Sequence, residues 1–284
     1  MSIEHKLAII AFSILLHACN VAVRQTDACQ EFGLGNFSYN GKYLDISQKT
    51  ENARATHWKP DGSVVYVTGR YSNNVAAYQL AEPWEVSTGT FLFDAKLPGE
   101  FQHGLFLKPD GERMWVFDRT SIWEFDLFTP WDITTISEGR NTWVGDFVER
   151  GHDIDFSPKG DTLFIDDRDA EAVFALRLDI PWDVSAFTLV QTLDISQIQE
   201  EVRGVEFICG GRVMILMDTR RAELLEFHLD QPYNIQTAEL VNTFDVSEQT
   251  LQGRGLSFSA DFTSFYVTGR DEEHIFQYDL VKKP

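Results

Sequence analysis

Short apolar runs alternate with polar, Gly- or Pro-bearing turns along the chain after about residue 40, and the arrangement repeats. Aligning the turns Lys59-Pro60-Asp61, Lys108-Pro109-Asp110, Ser157-Pro158-Lys159, Ile208-Cys209-Gly210 and Ser259-Ala260-Asp261 gives spacings of 49, 49, 51 and 51 residues. Each unit holds an apolar run, a turn, a second run such as residues 64–68, a polar turn and a third run such as residues 74–80. Usually Pro-Trp and a fourth run follow. Runs such as Val64-Val65-Tyr66-Val67-Thr68 and Met114-Trp115-Val116-Phe117 are rich in β-branched and aromatic side chains, which fit a pleated, buried surface. No segment after residue 24 carries a helical apolar stripe. A period near 50 made of four short strands predicts one β-propeller blade per unit.

The fifth unit is short of one strand. It runs from Arg254 through Tyr266-Val267-Thr268 to residues 276–280 and stops at Pro284, near where the others have Pro83, Pro130, Pro181 and Pro232. Elsewhere the fourth strand ends as Leu193-Asp194-Ile195-Ser196 or Phe244-Asp245-Val246-Ser247; its match is Tyr43-Leu44-Asp45-Ile46-Ser47 at the other end of the chain. The pattern predicts an all-β, single five-bladed propeller with four-stranded blades over residues 42–284, closed by the N-terminal strand. Closure removes two sheet edges that would otherwise template aggregation. An open array of β-meanders is the alternative, and the matching end pieces argue against it.

A hydrophobic content of 43% with 22 Phe and 7 Trp allows a substantial core between blades. The net charge of −20 disfavours nucleic-acid binding through a basic surface. At the N-terminus Lys6 precedes the apolar residues 7–16, followed by Leu16-His17-Ala18-Cys19. This resembles a bacterial lipoprotein signal, which implies a signal peptide over residues 1–18, lipidation of Cys19 and a tether over residues 19–41. The resemblance places the protein in the bacterial cell envelope and touching the membrane only through its N-terminal lipid. Asn20 leans toward the outer membrane in a Gram-negative cell; secretion is the second choice. Cys29 and Cys209 then remain, either as a disulfide or as two free thiols, and both are expected on one face of the disc.

The first strand of each blade lines the central channel. At its start stand Arg54, His103, His152, Arg203 and Arg254. Fifteen residues on, in the turn between second and third strands, come Gly69, Asp118, Asp167, Asp218 and Gly269; one further gives Arg70, Arg119, Arg168, Thr219 and Arg270, and in the fourth unit Arg220 comes one place later. Both columns belong to one face, the top, and arginine suits bidentate capture of carboxylates and phosphates. Two readings stay open. The columns brace the blades, with His103–Asp118, His152–Asp167 and Arg203–Asp218 as pairs, or they form an anion-binding ring. Arg54 and Arg254 have Gly69 and Gly269 in place of an aspartate, so in a bracing scheme they lack that partner.

A second polar set, His57, Asp153, Asp155 and Glu206, lies within the first strands. Asp155 and Glu206 share a column in adjacent blades and could supply paired carboxyls for acid catalysis. Polar lining of a wet channel is the plainer account. A metal site from His103, His152 and Asp153 is weaker still, so no metal and no cofactor is expected. The Pro83-Trp84, Pro130-Trp131, Pro181-Trp182 and Pro232-Tyr233 turns form an aromatic column on the bottom, as caps of the blade core or as a sugar-stacking belt. There is no nucleophile elbow, phosphate loop or zinc-helix motif.

The run Val65-Tyr66-Val67-Thr68-Gly69-Arg70, with Val75-Ala76-Ala77-Tyr78 after it, resembles the YVTN-type repeats of prokaryotic extracellular propellers. It recurs as Tyr266-Val267-Thr268-Gly269-Arg270 with Ile275-Phe276-Gln277-Tyr278. The His and Asp columns resemble the bracing logic of WD-repeat propellers, although Gly104 follows His103 instead of preceding it. These resemblances imply fold, not chemistry. The features favour a monomeric binding or scaffolding module over an enzyme, with an anionic small molecule, a glycan or a protein as partner. The alternative is a propeller hydrolase acting on a sugar or lactone.

Overall fold

The computed structural model describes Cys29 and residues 32–98, 102–198 and 200–281. The expected signal peptide and Cys19 lie outside the described residues. The described strands form five four-stranded antiparallel sheets, one per sequence unit, arranged as a five-bladed propeller. Blade one is β2 (Ala53–Trp58), β3 (Val64–Gly69), β4 (Asn74–Leu80) and β5 (Gly89–Lys96). Blade two is β6 (Leu105–Leu107), β7 (Arg113–Asp118), β8 (Ser121–Asp126) and β9 (Arg140–Trp143). Blade three is β10 (Gly151–Phe156), β11 (Thr162–Asp167), β12 (Ala172–Ile180) and β13 (Asp183–Asp194). Blade four is β14 (Val202–Ile208), β15 (Val213–Asp218), β16 (Glu223–Leu229) and β17 (Ala238–Asp245). Blade five is β18 (Gly253–Phe258), β19 (Ser264–Gly269) and β20 (His274–Leu280), completed by β1 (Phe37–Asp45).

The closing strand is longer than the sequence suggests. Its pairing with β20 runs from Phe37 opposite Leu280 to Asp45 opposite His274. The propeller therefore begins before residue 42, and the expected tether over residues 19–41 is corrected at its C-terminal end. A bulge at Asn40-Gly41 breaks the apolar alternation there and hid the strand. Gly41 has φ +83°, and the Asn40 carboxamide accepts the Lys42 N–H at 2.8 Å. Upstream, Leu34 and Phe37 are buried against Phe258 and Phe265, with Phe32 packed beside them. The Leu34 N–H donates to Glu226 Oε2 of blade four at 2.9 Å. Cys29 and Cys209 are joined in a disulfide, their Cα atoms 5.3 Å apart. The N-terminal segment thus pairs with blade five while being fastened to blade four.

Blades hold one another through large side chains of the inner strands. Tyr66 of blade one packs with Met114, Val116 and Phe125 of blade two, and its hydroxyl donates to the Trp131 carbonyl at 2.7 Å. Tyr266 of blade five does the same to Trp84 of blade one, also at 2.7 Å. The Pro-Trp turns cap these seams. Trp84 lies on Gly62, where a Cβ would meet the indole at 2.3 Å, and its ring centroid is 5.0 Å from that of Trp58. No described helix is long and apolar enough to cross a membrane.

Candidate functional site

Four of the five first strands carry a ladder irregularity at the same place, just where the Arg/His column sits. Register shifts fall between Ala53 and Thr56, Gly151 and Ile154, Val202 and Val205, and Gly253 and Leu256. Each adds one residue to the inner strand and bends it locally at the ring position. First strands come close there. A Cβ on Gly255 would stand 2.7 Å from the Arg54 carbonyl oxygen, and one on Gly204 2.7 Å from that of Arg254. This explains why glycine follows His103, Arg203 and Arg254: at those three places a side chain would meet the backbone of the neighbouring first strand.

The ring is buried. Arg54, His103, His152 and Arg254 are exposed by 3%, 2%, 4% and 2%. Each ring arginine donates Nη2–H to the side chain two residues before it: Arg54 to Asn52, Arg203 to Glu201 at 2.5 Å and Arg254 to Gln252 at 2.8 Å. Only Arg203 therefore has a carboxylate, which it shares with Arg168 at 2.6 Å. For Arg54 and Arg254 the partner is a neutral carboxamide, and Nε and Nη1 of both are buried with no hydrogen-bond partner. Burial first, then Arg203 and Arg70, push Arg54 down to about 9; burial, Arg203 and Arg54 push Arg254 down to about 7.

Asp167 and Asp218 do not hydrogen-bond the His152 and Arg203 side chains expected to pair with them. The Asp167 carboxylate accepts the backbone N–H groups of Glu149, Arg150, Asp169 and Ala170. Asp218 does the same for Glu200, Glu201, Arg220 and Arg221. These aspartates clamp the loops of their own blade, and local amides outcompete a side chain across the strand. His103 and His152 instead meet Nδ1 to Nδ1 at 2.8 Å, and neither Nε2 has a partner. Burial and the arginines hold both imidazoles well below their usual range.

In the outer column, Arg70 lies 5.5 Å from the exposed Tyr71 ring, Arg270 pairs with Asp271 and Arg168 with Glu201. Arg70, Arg119 and Arg203 all bear on His103. Arg220 is an exception, exposed and paired with Glu200 at 2.9 Å.

Beneath the ring burial favours the neutral form of the acids. Burial raises Asp155 to about 7, against hydrogen bonds from the Phe156 and Phe207 amides at 2.7 and 2.8 Å. Burial raises Glu206 well above its usual range, with Asp155 and Asp153 adding to the effect. Asp153 is likewise raised by burial and then by Asp166. Asp166, fully buried and not singled out by its sequence, accepts the His152 and Asp153 amides on Oδ1, leaves Oδ2 unpartnered and is raised to about 7. Burial lowers His57 to about 4. The structure thus brings Asp153, Asp155 and Glu206 into mutual electrostatic contact. His103, His152 and Asp153 do not converge as metal ligands: among the described residues no group of three or more His, Cys, Asp or Glu is arranged to hold a metal ion. The signal for what sequence reading missed is simple: Asn52, Glu201 and Gln252 are polar at a fixed offset of two from each ring arginine.

No family model and no curated protein matches the chain. Solved structures do, 1119 chains of them, so the fold is common and does not itself select a function. A candidate 6-phosphogluconolactonase from Bacteroides fragilis matches at 13% identity over 81% of this chain and 80% of that one, with a TM-score of 0.53. The Cps50 (Swd1) β-propeller domain of Myceliophteria thermophila matches at 7% identity over 86% and 99%, with a TM-score of 0.50. A functionally unknown protein from Desulfotomaculum acetoxidans matches at 13% identity over 77% of this chain, with a TM-score of 0.46; this chain spans only 63% of its length. At these identities the likeness is one of fold.

Proposed function

We propose that this chain is a lipid-anchored, extracytoplasmic binding or scaffolding module. It takes a small anion, or an anionic group of a glycan or protein partner, at the Arg/His mouth of its channel. One observation carries the reading. Arg54 and Arg254, in adjacent blades, are buried with Nε and Nη1 unpartnered and only neutral amides on Nη2. Burial and the neighbouring guanidiniums press the pKa of both downward, but the delocalised guanidinium keeps its proton in a protein, so that pressure is a cost of holding positive charge out of water, which an anion relieves. Because those nitrogens are enclosed, binding requires side chains at the mouth to rotate. Calorimetric titration of phosphate and acetate into the wild type, Arg54→Ala and Arg254→Ala tests this. Saturable binding that both variants lose supports the reading; no saturable binding, or binding unchanged in both, refutes it. Anchoring rests on the pattern from Lys6 to Cys19. Incorporation of labelled palmitate, abolished by Cys19→Ala, is the expected result, and unlabelled protein in bacterial cells would refute it.

A second reading, a hydrolase acting on a sugar or lactone, is supported by the coupled acids. Asp155 and Glu206, each raised by burial and lying close together, offer a proton-holding pair below the cationic mouth. Turnover of a lactone or glycoside that disappears in Asp155→Asn while anion binding persists would favour this reading over the first.

A further inference from the structure

Arg203, Arg254 and Arg54 hold the same position on three consecutive first strands, β14, β18 and β2, and the backbones meet there. A Cβ on Gly204 would stand 2.7 Å from the Arg254 carbonyl oxygen, and one on Gly255 2.7 Å from that of Arg54. The guanidiniums repel one another across these two seams: Arg203 and Arg54 bear on Arg254, and Arg203 bears on Arg54. Each has a buried Nε with no hydrogen-bond partner, and Arg54 and Arg254 each add an unpartnered Nη1. The arc is therefore rich in buried N–H donors that no protein group meets.

Charge does not balance along it. Arg203 has Glu201 at 2.5 Å, whereas Arg54 and Arg254 have the carboxamides of Asn52 and Gln252. Asp271 feels both of these arginines, but two hydrogen bonds, at 2.5 and 2.9 Å, tie it to Arg270, whose charge it balances. Burial and the arginines keep His103 and His152 neutral at neutral pH. Two positive charges are left over in adjacent blades. Resting on the anion-binding reading above, we propose that the ligand presents two negative charges close together, as a phosphate monoester, a sulfate or a short dicarboxylate does. One negative charge would leave the second cation unbalanced out of water, which is costly. A dianion balances both, and its several oxygens accept from the unpartnered N–H groups.

Sulfate and methanesulfonate share a tetrahedral head and differ by one charge; malonate and acetate are the corresponding carboxylates. Calorimetric titration of the wild type should show the dianion of at least one pair binding about tenfold tighter or more, the effect of roughly one charge-assisted hydrogen bond. A preference in the first pair marks a phosphoryl or sulfuryl group, and one in the second pair a dicarboxylate. Gln252→Glu gives Arg254 the kind of partner that Arg203 already has. It should bring the ratio near one and raise the melting temperature of the ligand-free protein. Asn52→Asp should do the same through Arg54, and it serves if the first variant fails to fold. Equal binding within both pairs, with all four anions lost in Arg54→Ala, would leave the anion site standing and overturn the dianion. A ratio unchanged in both carboxylate variants would also overturn it. No saturable binding of any of the four would overturn this inference together with the reading beneath it.

Discussion

Gln252 accepts one hydrogen bond from Arg254, at 2.8 Å, and gives that guanidinium no charge to balance its own. Asn52 stands in the same relation to Arg54. The contrast with Glu201 and Arg203 is a single functional group at one offset, and it separates a closed ion pair from two uncompensated cations.

Removing either uncompensated cation should not weaken the ligand-free protein. Arg254→Met keeps the aliphatic stem and discards the charge, so its melting temperature without ligand is expected to equal or exceed that of the wild type. Arg203→Met breaks a pair and should lower it. Thermal melts of both variants in anion-free buffer make the comparison; a marked loss in Arg254→Met would mean that the charge is already compensated.

Asp167→Ala leaves four backbone N–H groups of the Glu149–Ala170 region without their acceptor. A cost of about 3 kcal/mol is expected in denaturant unfolding. Because the Asp167 carboxylate does not hydrogen-bond the His152 imidazole, the cost should add to that of His152→Leu, within roughly 0.5 kcal/mol. Strong coupling between the two would restore the bracing scheme.

Asp166 sets a pH dependence. Its carboxyl is raised to about 7 in the fold and returns to about 3.9 in the unfolded chain. The native state therefore binds the extra proton, and this group's contribution is fully present below about pH 4 and lost as pH climbs through 7. Asp166→Asn keeps an acceptor for the His152 amide and cannot ionise. It should gain stability over the wild type at pH 8, on the order of 3 kcal/mol, and show little difference at pH 4. Equal differences at both pH values would show that Asp166 does not hold a proton in the fold.

The bond between Cys29 and Cys209 closes a loop of 180 residues' separation. Its loss in Cys29→Ser/Cys209→Ser should cost about 2–5 kcal/mol in denaturant unfolding. Reductant should destabilise the wild type and leave the double variant unchanged.

Blade count and strand order were legible because a propeller repeats one local solution, and the turn spacing exposes it without any long-range knowledge. The closing strand was legible at residues 43–47, where it copies its counterparts, and illegible at Phe37, where Asn40-Gly41 interrupts the alternation. The attachment of Leu34 to Glu226 joins residues 192 apart, and neither residue type announces it. The ring itself could be placed by column counting. Its pairing could not, since Asp167 and Asp218 look equally ready for a histidine and for a loop amide, and only backbone geometry decides. Asp166 escaped notice beside Asp167, because a one-residue step in a strand separates a channel-side group from a loop clamp.

The double attachment of the N-terminal segment has a mechanical meaning. Tension applied upstream of Cys29 reaches the disulfide first and passes through it into blade four. Strand β1, paired with β20, lies beyond that junction and carries no load while the covalent link is intact. Peeling the closing strand open like a zipper therefore requires prior reduction, so a propeller pulled from its N-terminal side with the disulfide intact resists unravelling at the very seam where its ring was joined.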